Sequence, residues 1–572
     1  MERVSRLSKN TAALVSARIV TSALTFGMAI IINRKLGPEL AGIYTYAFTL
    51  YTIFQVIPDF GIGNISIRDI SQETSRMRRY FQNIVSLRLL LGLVAFGLLM
   101  LTNFITLALQ GDGALAGEKF WVVFTIAFCL LIEQPFSNSL SENFIALERL
   151  GVVALVYMIM GIMKVAMSVY VVVVGLENVL IYLIIIYIIT ILYSILHLYP
   201  LYRRTLRKAG LVTAEISDMA MAEAVTHAPA PSGEAAVEAL LADYSYAGLA
   251  EASGALPGED PGAEAAAPLV APPQSDPASV SRFGPFTMDG RLWRYLLGSA
   301  WPLAVVSAGV TIYAGIDIPL LSWLKGDTQV GLYSAAGMFA KAFVFLTLAL
   351  NMAVLPAISR VGGKDPARLG PIWEKLLRYA WFLIIPLAVI VPILARPILV
   401  LQEHDFVRAW NVTWLTMGAM NFTFMYAISF PFFIVINKQK TVTLIVTVGL
   451  VAKVILALLV IPFWGYTGAA VTVLVSEGVA FVVLFWRLSV ELRYRIDLLK
   501  FAAVPLLMLG TLYGAAFVLY RVFAVGKDTF MSSLQSAFII AAALTILYVI
   551  LAFATRALSR KGLHELNDLL TV

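Results

Sequence analysis

The sequence predicts an all-α polytopic membrane protein with about fourteen transmembrane helices, and three observations support that prediction. Hydrophobic residues make up 60% of the 572 positions and charged residues only 13%, against roughly 45–50% and about 25% in an ordinary soluble domain. Apolar stretches of about 18 residues or more recur along the chain, each long enough to cross a hydrocarbon layer of ~30 Å as a helix. The alternating segments of about 10 residues that build membrane barrels are absent.

The predicted spans cover the whole chain apart from one long interruption. They lie near residues 11–33, 41–60, 80–109, 119–146, 151–174, 177–200, 296–323, 331–355, 376–401, 410–436, 441–463, 466–486, 501–523 and 533–554. Most of the 42 Lys and Arg residues fall in the two tails and in alternate loops, which the positive-inside rule places in the cytoplasm. We therefore expect a multi-pass protein of the cytoplasmic (inner) membrane with both termini inside.

Residues 211–281 interrupt this pattern, because they are rich in Ala, Pro and Gly and contain eleven acidic residues but no Lys or Arg. Such a segment cannot bury enough apolar surface to offset the entropy lost on ordering it. We expect residues 211–290 to form a disordered acidic cytoplasmic linker between an N-terminal lobe (1–210, spans 1–6) and a C-terminal lobe (291–490, spans 7–12). Residues 491–572 add spans 13 and 14 and a cytoplasmic tail.

The two predicted lobes resemble each other at a constant offset of 289 residues. The offset pairs Gly37 with Gly326, Gly42 with Gly331, Tyr44 with Tyr333, and Lys164 with Lys453. Apolar matches are common in so biased a composition, whereas a shared Gly-x4-Gly-x-Tyr pattern and an intramembrane lysine in register are not. Since each lobe has an even number of spans, both enter the membrane from the cytoplasm, and the repeat is predicted to be parallel.

Short motifs follow the spans in order: Arg34-Lys-Leu-Gly-Pro-Glu-Leu-Ala-Gly-Ile-Tyr-Thr-Tyr-Ala47, Asp59-Phe-Gly-Ile-Gly63, Phe144-Ile-Ala-Leu-Glu-Arg149, Val330-Gly-Leu-Tyr-Ser-Ala-Ala336 and Leu355-Pro-Ala-Ile-Ser-Arg360. With these motifs the chain, apart from the linker, resembles the multidrug/oligosaccharidyl-lipid/polysaccharide exporter superfamily, in its polysaccharide-transporter branch of oligosaccharide flippases. The resemblance implies two six-helix lobes that face a central cavity and turn a lipid-linked sugar from the inner to the outer leaflet by alternating access. It also implies membrane lipid and the polysaccharide biosynthesis machinery as partners.

Charged residues inside the predicted spans are the candidate functional residues. A charge at mid-bilayer costs roughly 2.5–3.5 kcal/mol on insertion scales and usually faces a cavity or a partner. The cations are Arg18, Arg88, Lys164, Lys341 and Lys453, and the anions are Glu133, Asp317 and Glu477. We predict that the cations line the cavity and bind the diphosphate of a polyprenyl-diphosphate sugar. The carboxylates are candidates for carrying a coupling H⁺ or Na⁺.

Structural roles for the same residues remain open. Each lysine of the repeat could instead pair with a carboxylate on a neighbouring span and only join two helices, Lys164 with Glu133 and Lys453 with Glu477. Arg18 and Arg88 fall near the cytoplasmic ends of their spans and could reach the inner headgroups.

Other functions remain open as well. A lipid-linked peptidoglycan precursor is an alternative substrate, and an ion-coupled multidrug exporter is an alternative within the superfamily. Arg18 stands in the first span, where such exporters typically carry a carboxylate, and this favours an anionic substrate. A membrane enzyme acting on lipid-linked sugars is the alternative from a different class, but the sequence has no Gly-x4-Gly-Lys-Ser/Thr, no His-Glu-x2-His and no long outer loop. We expect no nucleic acid as a partner, since the cations lie in short loops on one side. We also expect no enzymatic activity, cofactor or metal.

Overall fold

The structure is a computed structural model that describes residues 2–110, 117–175, 178–208, 288–523 and 530–555. Side chains are described from residue 22 onward, apart from a few positions within helices. The predicted linker 211–281 and the tail from residue 556 lie outside the described residues, as does the side chain of Arg18.

Regular structure in the described ranges is helical throughout. In chain order the α-helices are α1 (Glu2–Asp59), α2 (Ile62–Gln72), α3 (Met77–Gln110), α4 (Glu118–Ala127), α5 (Ser139–Ala146), α6 (Leu150–Val174), α7 (Val179–Lys208), α8 (Gly290–Gly315), α9 (Asp317–Lys325), α10 (Asp327–Ala342), α11 (Val344–Lys364), α12 (Leu369–Gln402), α13 (Trp410–Val435), α14 (Gln439–Glu491), α15 (Leu498–Phe523) and α16 (Phe530–Ala554). Short 3₁₀ helices cover Thr74–Arg76, Phe128–Leu131, Pro366–Arg368 and His404–Ala409, and a π-helix covers Glu133–Asn138.

The helices confirm a polytopic membrane protein. Among the described residues, 11 helices are long and apolar enough to cross a membrane. Two of them, α1 and α14, contain a residue with non-helical torsions, Gly37 and Gly465, and each covers two predicted spans. The predicted span 331–355 corresponds to two shorter helices, α10 and α11. The helical architecture is therefore confirmed, while the count of fourteen spans stays a prediction.

The backbone repeats the 289-residue offset found in the sequence. Gly37 has φ 70° and ψ 177°, and Gly326 has φ 83° and ψ 172°. Both values of φ lie in the left-handed region that glycine adopts without a steric penalty. The same offset pairs Glu148 (φ 58°) with Asn437 (φ 55°). These two residues end α5 and α13 in the same way, because the next N–H donates to the carbonyl five residues back in both cases.

The chain forms two compact units. Unit 1 comprises Met1–Leu24 and Ala47–Ile312, and unit 2 comprises Thr25–Tyr46 and Tyr313–Val572. Packing therefore assigns residues 25–46 to unit 2, although the sequence repeat assigns them to the N-terminal lobe. The lobe boundaries at residues 210 and 290 stay a prediction. They were derived from the internal repeat, whereas the two compact units are defined by contacts between residues.

Each unit has its own apolar core. The core of unit 1 draws side chains from α2, α3, α5, α6, α7 and α8, and includes Tyr80, Phe144 and Leu292. In unit 2, α12 and α13 supply Trp373 and Phe432 to a core completed by α11, α14 and α15. Helices α15 and α16 also pack against α12 in a further cluster. The predicted appendage of two C-terminal helices is thus attached to unit 2.

Within unit 2, two glycines of the repeat allow a backbone-to-backbone contact. A Cβ added at Gly42 would lie 1.8 Å from the carbonyl oxygen of Asp327, and one added at Gly331 would lie 1.7 Å from that of Pro38. The two clashes are reciprocal, as expected where equivalent segments of a repeat cross. Thr45 and Ser334, which are 289 residues apart, hydrogen bond to each other at 3.2 Å beside this crossing.

Within unit 1, α8 is fixed at its first residues to α3. The Asp289 carboxylate caps α8 by accepting from the backbone N–H groups of Arg291 (3.0 Å) and Leu292 (3.2 Å). It also pairs with Arg79 at 2.5 Å, and the Asp289 N–H donates to Asn83 Oδ1 at 2.8 Å. Partial burial acts to raise the pKa of Asp289, but the hydrogen bonds from Arg79 and from the backbone amides outweigh it, so the pKa lies below its ordinary value.

We expect Gly42→Ala and Gly331→Ala each to destabilise unit 2 by about 1–3 kcal/mol, because the added methyl overlaps a carbonyl oxygen that cannot withdraw without moving a helix. Gly337→Ala is the matched control in α10, since a Cβ there meets nothing within 4 Å. The measurement is the thermal midpoint of the purified protein in detergent. Equal midpoints for Gly331→Ala and Gly337→Ala would contradict the close crossing.

We expect the stability difference between the native protein and Asp289→Asn to depend on pH. A carboxyl group whose pKa is lowered by folding contributes stability above its unfolded pKa, near 3.9, and loses that contribution as the pH falls through its folded pKa. The difference in thermal midpoint should therefore be present at neutral pH and shrink below about pH 4. A difference that grows on acidification would show that the Asp289 contacts have been misassigned.

Candidate functional site

Three clusters of charged and hydroxyl side chains lie inside membrane-spanning helices. We name them after their cations: the Arg88 cluster and the Lys164 cluster in unit 1, and the Lys453 cluster in unit 2. The first two depend on an irregular stretch between α4 and α5, where the 3₁₀ turn Phe128–Leu131 is followed by the π-helix Glu133–Asn138. Pro135 has no N–H to donate and so disfavours a regular α-helix here. Single-turn π-helices occur often at functional sites.

The Arg88 cluster is an ion-pair network around a fully buried guanidinium, with Glu142 13% and Asp59 35% exposed. The Arg88 side chain is 0% exposed, and its two terminal nitrogens bind the two oxygens of Glu142 at 2.7 and 3.0 Å. Asp59 lies 3.5 Å away at the end of α1. Ser139 Oγ and the Gln134 carbonyl accept two further bonds at 2.8 and 3.3 Å. The Arg88 side chain is thus enclosed by its protein partners and does not extend to the surface of unit 1, and its assignment as a cavity cation stays a prediction.

The Lys164 cluster contains a lysine held by aromatic rings. The ammonium lies 4.7 Å from the ring centre of Tyr187 and 5.3 Å from that of Phe48. Such cation–π contacts stabilise the ammonium without neutralising its charge. Glu133 is near enough to act on Lys164 electrostatically, yet its carboxylate accepts hydrogen bonds from Tyr187 at 2.8 Å and from Tyr51. In the part of the chain that the structure describes, Lys164 and Glu133 form no ion pair.

The Lys453 cluster contains a buried lysine whose ammonium contacts both a carboxylate and a backbone carbonyl. Its side chain is 3% exposed, and its ammonium lies 3.5 Å from Asp317 Oδ1. It also donates to the Tyr313 carbonyl at 2.6 Å. Tyr333 donates to the other Asp317 oxygen at 2.5 Å. The sequence suggested Glu477 as the structural partner, whereas the structure places Asp317 there, because the break between α8 and α9 brings the first residue of α9 against α14.

Lys341 is the last of the predicted candidate cations whose side chain the structure describes. It lies in the last turn of α10, and its side chain is exposed. Asp317 and Lys453 are both near enough to act on it electrostatically, but no acidic side chain among the described residues forms an ion pair with it. Lys341 therefore differs from Lys453, since its charge is not matched by a contacting carboxylate.

Each unit has a hydrogen bond between a hydroxyl group on one helix and a carboxylate on another, but the helix that carries the carboxylate differs between the units. In unit 1, Tyr187 donates to Glu133 at 2.8 Å, and in unit 2, Thr423 donates to Glu477 at 3.1 Å. An offset of 290 residues, one more than the 289 of the sequence repeat, maps Glu133 onto Thr423 and Tyr187 onto Glu477. The interhelical hydrogen bond is thus kept while donor and acceptor exchange sides.

Several residues of these clusters were missed by sequence reasoning. Glu142 lies inside the predicted span 119–146, and the rule that flags intramembrane charges would have found it. Tyr51, Tyr187 and Tyr333 carry no comparable signal, since tyrosine is common throughout the spans and belts of membrane helices.

A family model described as polysaccharide biosynthesis protein matches residues 7–220 and 280–361, just over half of the chain. The residues between the two matched stretches lie within the acidic segment 211–281. No curated protein matches the chain in sequence.

Two solved structures are similar over most of the chain. One is the lipid II flippase MurJ in its inward closed conformation, with a TM-score of 0.59, 13% identity and coverage of 96% of this chain and 99% of that chain. The other is a multidrug resistance MATE family transporter of the MOP superfamily in an inward-facing conformation, with a TM-score of 0.54, 11% identity and coverage of 84% and 96%. At these identities the likeness shows the fold alone.

We expect the two repeat-related lysines to respond differently to Lys→Met. Lys453→Met leaves Asp317 buried without its ammonium, which typically costs about 3–5 kcal/mol, and Lys453→Met with Asp317→Asn should recover most of that loss. Lys164→Met leaves Glu133 bound by two hydroxyl groups and should change stability by less than about 1 kcal/mol. Thermal midpoints of the single and double variants test both statements. A stable Lys453→Met protein would contradict the ion pair with Asp317.

Proposed function

Since the chain belongs to the polysaccharide biosynthesis protein family of the multidrug/oligosaccharidyl-lipid/polysaccharide exporter superfamily, we propose that this membrane transporter flips a lipid-linked oligosaccharide. The substrate is a polyprenyl-diphosphate sugar, carried across the cytoplasmic membrane by alternating access for polysaccharide export. Both chain termini face the cytoplasm in this proposal, and enzymes that assemble the polysaccharide supply and consume the substrate. The substrate itself undergoes no chemical change.

The observation that carries this proposal is the state of Lys164 and Lys341. Lys164 lies in α6, one of the helices long enough to cross a membrane, and Lys341 lies in the predicted span 331–355. Neither forms an ion pair with an acidic side chain among the described residues. An unneutralised charge in this environment is costly and is usually kept for function. A diphosphate anion would supply the missing negative charge, with lysine acting as a point charge toward its oxygens.

The remaining cations take other roles in this proposal. Arg88 and Lys453 already contact carboxylates and join helices within their own units. Arg18 remains a candidate substrate contact from its position in the first span, as the sequence predicts.

Glu133 and Glu477 are the proposed sites for a coupling H⁺ or Na⁺. Their hydrogen-bond partners are hydroxyl groups, from Tyr51 and Tyr187 for Glu133 and from Thr423 for Glu477. A carboxylate bound by neutral donors can take up a cation without breaking an ion pair. Asp317 is less suited to this role, because it is already paired with Lys453.

We expect reconstituted protein to bind a polyprenyl-diphosphate sugar far more tightly than the same lipid without its diphosphate. Lys164→Met and Lys341→Met should each weaken that binding roughly tenfold or more, the loss expected for a hydrogen bond to a charged group of about 1.5–3 kcal/mol. Lys325→Met is the control, because this exposed lysine at the end of α9 is outside the clusters. Thermal midpoints establish that the variants are folded.

Flipping in proteoliposomes completes the test. Equal affinity for the charged and the uncharged lipid would remove the basis of the proposal. Preferential transport of a peptidoglycan precursor would assign the other diphosphate lipid as substrate. Export of a cationic drug by the native protein, undiminished in Lys164→Met and Lys341→Met, would instead assign the multidrug function.

A further inference from the structure

Unit 1 carries a surface at its predicted cytoplasmic end that is unusually rich in arginine. Seven arginines form what we call the arginine face: Arg78 on α3, Arg149 between α5 and α6, Arg203, Arg204 and Arg207 on α7, and Arg291 and Arg294 on α8. All but the half-buried Arg78 are exposed.

The helix ends that carry these arginines are packed against one another. Arg149 donates to Thr205 of α7 at 3.4 Å, and the rings of Phe81 and Tyr202 join α3 to α7 with centres 4.7 Å apart. Asp289, next to α8, is paired with Arg79 of α3. The seven arginines therefore share one face of unit 1.

The charge of this face is not balanced by the described residues. None of the seven arginines forms an ion pair with an acidic side chain in the part of the chain that the structure describes. In unit 2, the exposed arginines 368, 378 and 408 each pair with an acidic side chain three or four residues away. Among the described residues of unit 2, the exposed arginines 360, 493 and 495 form no such pair. Seven neighbouring positive charges repel one another unless an anion approaches them.

The chain itself contains a suitable polyanion. Residues 211–281 have eleven acidic side chains and no Lys or Arg, and because the whole chain has a net charge of +7, all other residues together carry +18. This segment departs from the end of α7 at Lys208 and returns at Met288 before α8. Both of its attachment points are therefore helix ends of the arginine face.

We propose that the arginine face is the docking surface for the acidic segment 211–281 of the same chain. Each exposed ion pair contributes little, about 0–1 kcal/mol, but attachment at both ends makes every contact intramolecular and raises its effective concentration. Docking covers charges that would otherwise attract anionic headgroups. It depends on salt, because screening shortens the reach of exposed charges from ~10 Å at 0.1 M to ~3 Å at 1 M ionic strength.

Energy transfer between two dyes in the full-length protein measures the docking. Cysteines introduced by Leu201→Cys, beside the arginines of α7, and Ser253→Cys, in the middle of the acidic segment, carry the dyes, while the native Cys129 is buried. The protein is placed in nanodiscs of neutral lipid. We expect high transfer efficiency at 0.1 M salt and a fall of roughly twofold at 1 M.

Two charge variants identify the contact. Replacing Arg203, Arg204 and Arg207 by Gln should lower the efficiency at 0.1 M to the high-salt value, and so should replacing the eleven acidic residues by Asn and Gln. The matched control replaces Arg360, Arg493 and Arg495 of unit 2, which are exposed on the same predicted side of the membrane, and should leave the efficiency unchanged. An efficiency that ignores salt and the α7 substitutions would overturn the proposal and leave anionic lipid as the occupant of the arginine face.

Discussion

The exclusion of water from the membrane is the constraint on which the rest of this structure depends, because every charge placed there needs a partner. The chain meets this requirement in graded ways. Arg88 has a bidentate carboxylate, Lys453 has a carboxylate and a carbonyl, Lys164 has two aromatic rings, and Lys341 has surface exposure. The strength of the protein's own partner decides how much of each charge is left for a ligand. We therefore distinguish structural cations from candidate binding cations by how strongly the protein's own groups bind them, and not by their depth in the membrane.

The internal repeat shows which features such a fold retains and which it exchanges. Backbone features recur at the same offset, such as the left-handed glycines 37 and 326 and the helix ends at Glu148 and Asn437. They recur because a sharp break between helices restricts the torsions to a few solutions. Side-chain chemistry is less restricted, since a hydrogen bond between two helices works equally well in either direction. The exchange of Glu133 and Tyr187 for Thr423 and Glu477 follows from that freedom.

Much of the fold could be predicted from the sequence, because composition, span length and an internal offset depend on the chain alone. The ion pairs could not, since the partner of Lys453 depends on how α9 and α14 are rotated about their axes. Glu477, 24 positions further along α14, fitted the chain order, yet the break after Gly315 brings Asp317 to the ammonium instead. Tyr51 and Tyr187 were hidden for a related reason. Their role exists only because the irregular turn before α5 aims Glu133 at them.

The family match and the fold carry different parts of the functional argument. The matched residues end at 361, so they include Lys164 and Lys341 but not Lys453 or Glu477. The argument for Lys453 and Glu477 rests only on the internal repeat and on a fold shared at 13% identity or less. A shared fold alone does not determine function. Asp317 links the two sets, because it contacts Lys453 and acts on Lys341. If Lys341 binds an anion as proposed, that anion lies in the electric field of the Asp317–Lys453 ion pair. A substitution at Lys341 would then also affect the ion pair that joins α9 to α14.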